Sequence, residues 1–157
     1  MRILLLPALA ALLAACASDP VQEPVAGQRY AIIETGASRK AEGIFPVLLT
    51  RIDDKRITVT ADDLRRGRQG HFPNARSVFR VAPGQHSLEA MGMVDRRYVP
   101  GLSQDLSRDN SEPLVANFQS GTRYFVGIKA DSARRAEWRL VIWKTEAVDE
   151  GAIDIID

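Results

Sequence analysis

The chain of 157 residues contains one cysteine, two histidines and 6% aromatic residues. A single cysteine excludes a disulfide within the molecule and a zinc centre built on thiolates. The longest apolar run, residues 3–15, falls short of the roughly 20 residues that span a bilayer as a helix. Charge of neither sign dominates: the formal net charge is +1. It falls to about zero once Arg2 is removed with residues 1–15, so non-specific attraction to nucleic acid is not expected. No Gly-x-Ser-x-Gly elbow, His-x-x-x-His pair or phosphate loop is present, and Gly67-Arg-Gln-Gly70 lacks both the length and the following Lys-Ser/Thr. No stretch after Ala15 keeps an apolar period of 3.6.

What is present begins with the N-terminus. Arg2 gives a positive start, residues 3–15 are apolar with Pro7 among them, and Ala17-Ser18-Asp19-Pro20 turns polar at once. The run has the size of a secretory signal core, about 7–15 residues. Leu13-Ala14-Ala15-Cys16 resembles the lipobox of bacterial lipoproteins. In that family the cysteine receives a diacylglycerol on sulfur, the signal is cut off before it, and the new amino group is usually acylated. The resemblance implies lipid attachment at Cys16 and tethering to an envelope membrane. Alanine at position 17, where the enterobacterial pattern uses aspartate for inner-membrane retention, implies the outer membrane, facing the periplasm. The plainer alternative is a signal peptide that happens to contain a cysteine. That would leave an unpaired thiol in an oxidising compartment, which thioether formation removes.

The chain divides into a signal helix at 1–15, an acylated cysteine and tether at 16–28, a domain at 29–145 and an acidic tail at 146–157. The tether carries Ser18, Pro20, Pro24 and Gly27 and reaches roughly 40 Å when extended. The mature chain suits one domain with a core of its own. Arginine far outnumbers lysine. Genomic composition explains this first, although the guanidinium fork also suits phosphate and carboxylate partners.

From Arg29 the period becomes two. Residues 30–33 make the first strand. Phe45, Val47 and Leu49 alternate up to an Asp53-Asp54 turn, and Ile57 and Val59 resume, predicting a hairpin. Phe79 and Val81, then Pro83-Gly84, then His86, Leu88 and Ala90 predict a second. Leu114, Ala116 and Phe118, then Ser120-Gly121, then Tyr124, Val126 and Ile128 predict a third. Trp138, Leu140 and Ile142 alternate against Arg139, Val141 and Trp143. The pattern specifies an all-β fold, an antiparallel β-sandwich of seven to eight strands. The tail, punctuated by Asp149, Glu150, Asp154 and Asp157, is a frayed end or an added edge strand.

The Pro83-Gly84-Gln-His86 turn between alternating strands, with Gly121-Thr-Arg-Tyr124 after it, resembles a pattern in small bacterial lipoproteins of proteobacterial type. It implies an immunoglobulin- or transthyretin-like sandwich and brings no catalytic motif. Residues 61–76 and 95–113 read as long loops, a length that is usually functional or disordered. The first precedes the Phe79 strand and the second follows the Leu88 strand, which places both at one end of the sandwich. Arg65, Arg66, Arg68, Arg76, Arg96 and Arg97 therefore gather there as a candidate binding surface, with Trp143 as a separate aromatic contact. The alternative is neutralisation by Asp62, Asp63, Asp95, Asp105 and Asp109. His71 with Asp62 or Asp63 lacks metal-ligand spacing, and His86 reads as a core-edge histidine bonded to a turn carbonyl. No metal or cofactor is implied.

These observations favour a non-catalytic envelope lipoprotein, an interaction or accessory module whose partners are the membrane, through its anchor, and an envelope protein. The alternative is a module binding a small ligand, a glycan or an anion such as lipopolysaccharide phosphate through the arginine-bearing end. A hydrolase ranks third, since the spatial separation of carboxylates is invisible in a sequence.

Overall fold

The computed structural model describes residues 24, 27–57, 77–99, 101, 106–109, 112–130 and 138–148. The signal segment, Cys16, most of the tether, residues 61–76 and residues 149–157 lie outside them. The longer strands form where the alternation is strongest. The strands are β1 (Ala31–Glu34), β2 (Ile44–Phe45), β3 (Val47–Ile52), β4 (Lys55–Arg56), β5 (Val78–Val81), β6 (Gly84–Val94), β7 (Leu106–Asp109), β8 (Leu114–Phe118), β9 (Thr122–Lys129) and β10 (Arg139–Ala147). Two 3₁₀ turns, Lys40–Glu42 and Arg96–Tyr98, are the helical pieces among the described residues.

One sheet runs β10-β9-β1-β5, with β2 also on β9; the other runs β4-β3-β6-β7, with β8 also on β6. β1 and β2 share one side of β9, and β7 and β8 share one side of β6, so ten segments fill eight lanes. Every ladder is antiparallel except β1 on β9, which is parallel. The fold is the all-β sandwich that the pattern predicts. Its inner faces meet in a core built on Ile33, Phe45, Val47, Leu49, Leu88, Phe118, Val126 and Ile128, each at most 2% exposed. Trp138 and Leu140 close the core beside β9.

Only the first predicted hairpin forms about its turn, where Arg51 faces Arg56 and Ile52 faces Lys55 around Asp53-Asp54; Phe45, expected in its first strand, lies across Pro46 in the other sheet, on β9, and Val59 lies outside the described residues. Asp53 takes φ +52, a left-handed position that aspartate tolerates. The other two are arches between the sheets. β5 pairs with β1 while β6 pairs with β3, so Pro83-Gly84 carries the chain across the sandwich. Likewise β8 pairs with β6 while β9 pairs with β1 and β10. An arch and a hairpin use the same turn residues and the same flanking alternation. They differ in whether successive strands face each other through side chains or through backbone hydrogen bonds, which alternation does not record. Gly84 at φ +139 and Gly121 at φ +66 supply the bends.

Each arch is locked by a side chain. His86 Nε2 donates to the Ala82 carbonyl at 2.7 Å, as the turn-carbonyl reading expects. Tyr124 Oη accepts from the Gln119 backbone N–H at 2.7 Å. The Phe118 ring lies against both, its centroid 5.9 Å from His86 and 4.8 Å from Tyr124.

The stretch 95–113, expected as one loop, contains β7, which continues the edge of the second sheet by pairing Leu106 with Val94 and Asp109 with Met91. Leu106-Ser-Arg-Asp109 has no apolar alternation, because an edge lane is held by its backbone. β10 carries a bulge between Ile142 and Lys144, and Trp143, next to the inward Ile142, stands on the outer face of its sheet. There its ring meets Phe125 at 5.3 Å and the Arg39 guanidinium at 5.2 Å.

Three substitutions test this packing. Trp138→Ala is expected to cost about 3–5 kcal/mol, as for a core aromatic ring. A Cβ on Gly127 would stand 2.8 Å from the Phe45 carbonyl and 3.3 Å from Trp143 Nε1, whereas one on Gly92 meets only the Ile128 side chain, at 2.7 Å. Gly127→Ala is therefore expected to cost about 1–3 kcal/mol and more than Gly92→Ala. Denaturant melts of the three variants check both points, and equal losses at the two glycines would contradict the backbone contact.

Candidate functional site

The two ends of the sandwich differ in chemistry. At one end lie Tyr30, the Asp53-Asp54 turn and both arches, joined by Gly121 N–H to Tyr30 O at 3.0 Å and Asp53 N–H to Ser87 O at 2.7 Å. At the other, Thr35 draws three segments together. Its N–H donates to Ser77 O at 2.8 Å, and its carbonyl accepts from Val47 N–H at 3.1 Å. Next to Val47, Met93 N–H donates to Pro46 O at 3.1 Å. Thr35 is 1% exposed, the buried polar residue of the described core. Ser77, which follows residues 61–76, and Asp95, which begins the stretch after β6, therefore come to the same end. The described strand ends that flank the two expected loops thus meet, although the strands concerned are joined by an arch; residues 61–76 themselves lie outside the described residues.

Asp95 organises this end. It caps the 3₁₀ turn Arg96–Tyr98 by accepting from the Arg97 backbone N–H at 3.0 Å. Its carboxylate also takes Arg97 Nε at 3.0 Å and Nη2 at 2.6 Å, a bidentate fork. Lys40, from the first 3₁₀ turn, stands 3.5 Å away. Hydrogen bonds from the Arg97 side chain act most strongly on the Asp95 carboxyl. Partial burial opposes them, the Arg97 N–H and the charges of Arg97 and Lys40 reinforce them, and the carboxyl is lowered to about 2.

Tyr98 projects from the same turn. It is 44% exposed, rests edge-on against Phe45 at 6.5 Å, and has Lys40 at 5.7 Å and Arg97 at 5.8 Å from its ring. The result is a small platform: one accessible ring, flanking cations and one carboxylate that pairs with them. Sequence reasoning missed Lys40 and Tyr98. The sole signal for Lys40 was its place in a polar stretch without alternation, and Tyr98 follows two arginines that drew attention first.

Of the candidate surface residues, Arg96 and Arg97 stand on this turn, while Arg65, Arg66, Arg68 and Arg76 lie outside the described residues, as do His71, Asp62 and Asp63. Trp143 is on the outer sheet face, half-covered by its own neighbours and apart from the Asp95 turn. Among the described residues no three histidine, cysteine, aspartate or glutamate side chains converge as metal ligands.

At the opposite end, His86 is held from both sides, with Nδ1 2.8 Å from Asp53 Oδ2 and Nε2 on Ala82. Burial would raise the Asp53 carboxyl. The Ser87 N–H, the hydrogen bond and charge of His86 and the charge of Lys55 outweigh it, and the carboxyl lies below its ordinary value. With both ring nitrogens engaged, His86 in this arrangement fastens two turns together and has no nitrogen directed at a nucleophile.

No known family model, curated protein or solved structure matches the chain significantly.

Because the Asp95 carboxyl is depressed in the folded state, its stabilisation is present above the ordinary carboxylate value and is lost as pH falls through about 2. Asp95→Asn keeps the shape and the cap but not the charge. It is expected to cost about 1 kcal/mol at neutral pH, given that the Arg97 side chain is largely exposed. The difference from the unaltered protein should shrink between about pH 4 and pH 2. Melts across that range check it, and a difference independent of pH would contradict the charge-based account.

Proposed function

We propose that this protein is a lipid-anchored, non-catalytic module of the bacterial envelope that presents the Asp95 end of its sandwich to a protein partner. One observation carries the reading. The segment that leads from Cys16 joins the domain at Tyr30, beside Gly121, and the Arg96–Tyr98 platform is at the opposite end. A domain tethered by lipid at Cys16 thus turns the platform away from its membrane. Leu13-Ala14-Ala15-Cys16 and the polar, Pro-containing stretch after it support the anchor. Two acyl chains are enough for stable anchoring, and Ala17 supports the periplasmic face of the outer membrane.

A second reading takes the same platform as the seat of an anionic small ligand or glycan. It draws on the Tyr98 ring between Lys40 and Arg97, since an aromatic face with flanking cations suits an acidic sugar.

Three measurements bear on these readings. Cys16→Ser should lose lipid labelling and leave the membrane fraction. Retention of both in the variant would overturn the anchor. Arg96→Ala with Arg97→Ala should weaken capture of envelope proteins by crosslinking in intact cells, most at low salt where the charges are least screened, while costing no more than about 1 kcal/mol of stability. Unchanged capture with folding intact would move the contact to Trp143. Saturable binding of an anionic oligosaccharide that the double variant abolishes would favour the second reading.

A further inference from the structure

His86 is placed where its proton inventory decides how many turns it holds. The Ala82 carbonyl 2.7 Å from Nε2 can only accept a hydrogen bond, so Nε2 must donate. Asp53, lowered in pKa and already accepting from Ser87 N–H at 3.0 Å through Oδ1, presents Oδ2 to Nδ1 at 2.8 Å, again as an acceptor. A neutral imidazole has one N–H and one lone pair. It can satisfy one of these oxygens and must set a lone pair against the other. The geometry therefore points to a proton-dependent clamp: we propose that the doubly protonated ring staples the Asp53 turn of β3–β4 to the β5–β6 arch, and that loss of one proton frees the arch.

Which bond goes first follows from charge. Nδ1–H on an ionised carboxylate is the stronger of the two, so the neutral ring keeps Asp53 and releases Ala82. The surroundings add no competitor among the described residues. From the turn, Asp53 faces the ring, with Lys55 acting on Asp53; β8 presents Ala116 across the ladder and the Phe118 ring; the arch presents its carbonyl. The arch then depends on a Pro-Gly bend that contributes no N–H at Pro83. It leads back to β5, a four-residue strand that among the described strands pairs with β1. The element that yields is thus the edge of the first sheet, with the core beneath it intact.

The sign of the effect is definite. With an acceptor against each ring nitrogen, the clamp's contribution is present where the ring carries both protons and is lost where it carries one. Asp53 sets the lower limit, because its depressed carboxyl must remain ionised to accept.

The experiment follows the unaltered protein by nuclear magnetic resonance, with the ring nitrogens of His86 and the backbone amides of β5 and Gly84 observed from about pH 5 to pH 8, the interval in which histidine changes charge. Both nitrogens should be protonated at the acid limit. Nε2 should lose its proton as pH rises while Nδ1 keeps its own. Exchange protection of the β5 and Gly84 amides, corrected for intrinsic rates, should fall about two- to tenfold over the same interval, the equivalent of one net hydrogen bond. His86→Gln should abolish that pH dependence. Retention of the Nε2 proton by the neutral ring, or protection that does not follow the ring's titration, would overturn the proposal, and neither outcome depends on the variant folding.

Discussion

The sandwich depends on how its chain is fastened where it changes sheets. Three described crossings, at Pro46, at Ala82-Pro83 and at 119–121, move the backbone from one layer to the other. A crossing leaves no ladder between the strands that it joins, so its geometry must be held by something else. Here the fasteners are aromatic residues with a polar end. His86 bonds the first arch, Tyr124 bonds the second, and Phe118 fills the space between them with both rings in contact. Rings of this kind bury a large apolar surface and still satisfy a backbone group. The arches and the core beneath them are therefore one packed object.

The far end is ordered by a carboxylate. Thr35 brings Ser77, Val47 and its own turn together through backbone bonds, and Asp95 then fixes Arg97 and Lys40 around Tyr98. An exposed ion pair on its own stabilises little. Its effect here is positional: the two cations and the ring are held in a set arrangement that a partner need not reorganise on contact. The division between a fastened end and a presenting end is the physical content behind the proposed role.

Alternation along β3, β6, β9 and β10 is strong enough that Leu49, Leu88, Val126 and Leu140 are recognisable as inward residues from the amino-acid order alone. That periodicity reports which side of a strand is buried. It carries no information about which layer the strand belongs to, which is why Pro83-Gly84 and Ser120-Gly121 read as hairpin turns. β7 escaped notice for a related reason, since Leu106-Ser-Arg-Asp109 pairs through its backbone at an edge where nothing demands apolar side chains. In β10 the extra residue at Trp143 shifts the parity of everything after it. Lys40 and Asp95, and Asp53 and His86, lie far apart in sequence, so only the tertiary fold makes neighbours of them. The bond from His86 to a turn carbonyl was legible because its partner is four residues away.

The position of β1 has a mechanical consequence. This strand follows directly on the N-terminal segment, yet it occupies the interior of its sheet, parallel to β9 on one side and antiparallel to β5 on the other. Tension applied through residues 28–30 runs along the strand axis, and the hydrogen bonds of both ladders lie across it. They are loaded together in shear, so none can be peeled open ahead of the rest. A first strand at a sheet edge would carry the same pull through one ladder, whereas β1 shares it between two. The domain resists a pull from its N-terminus as a unit, and the load passes through β9 into the core.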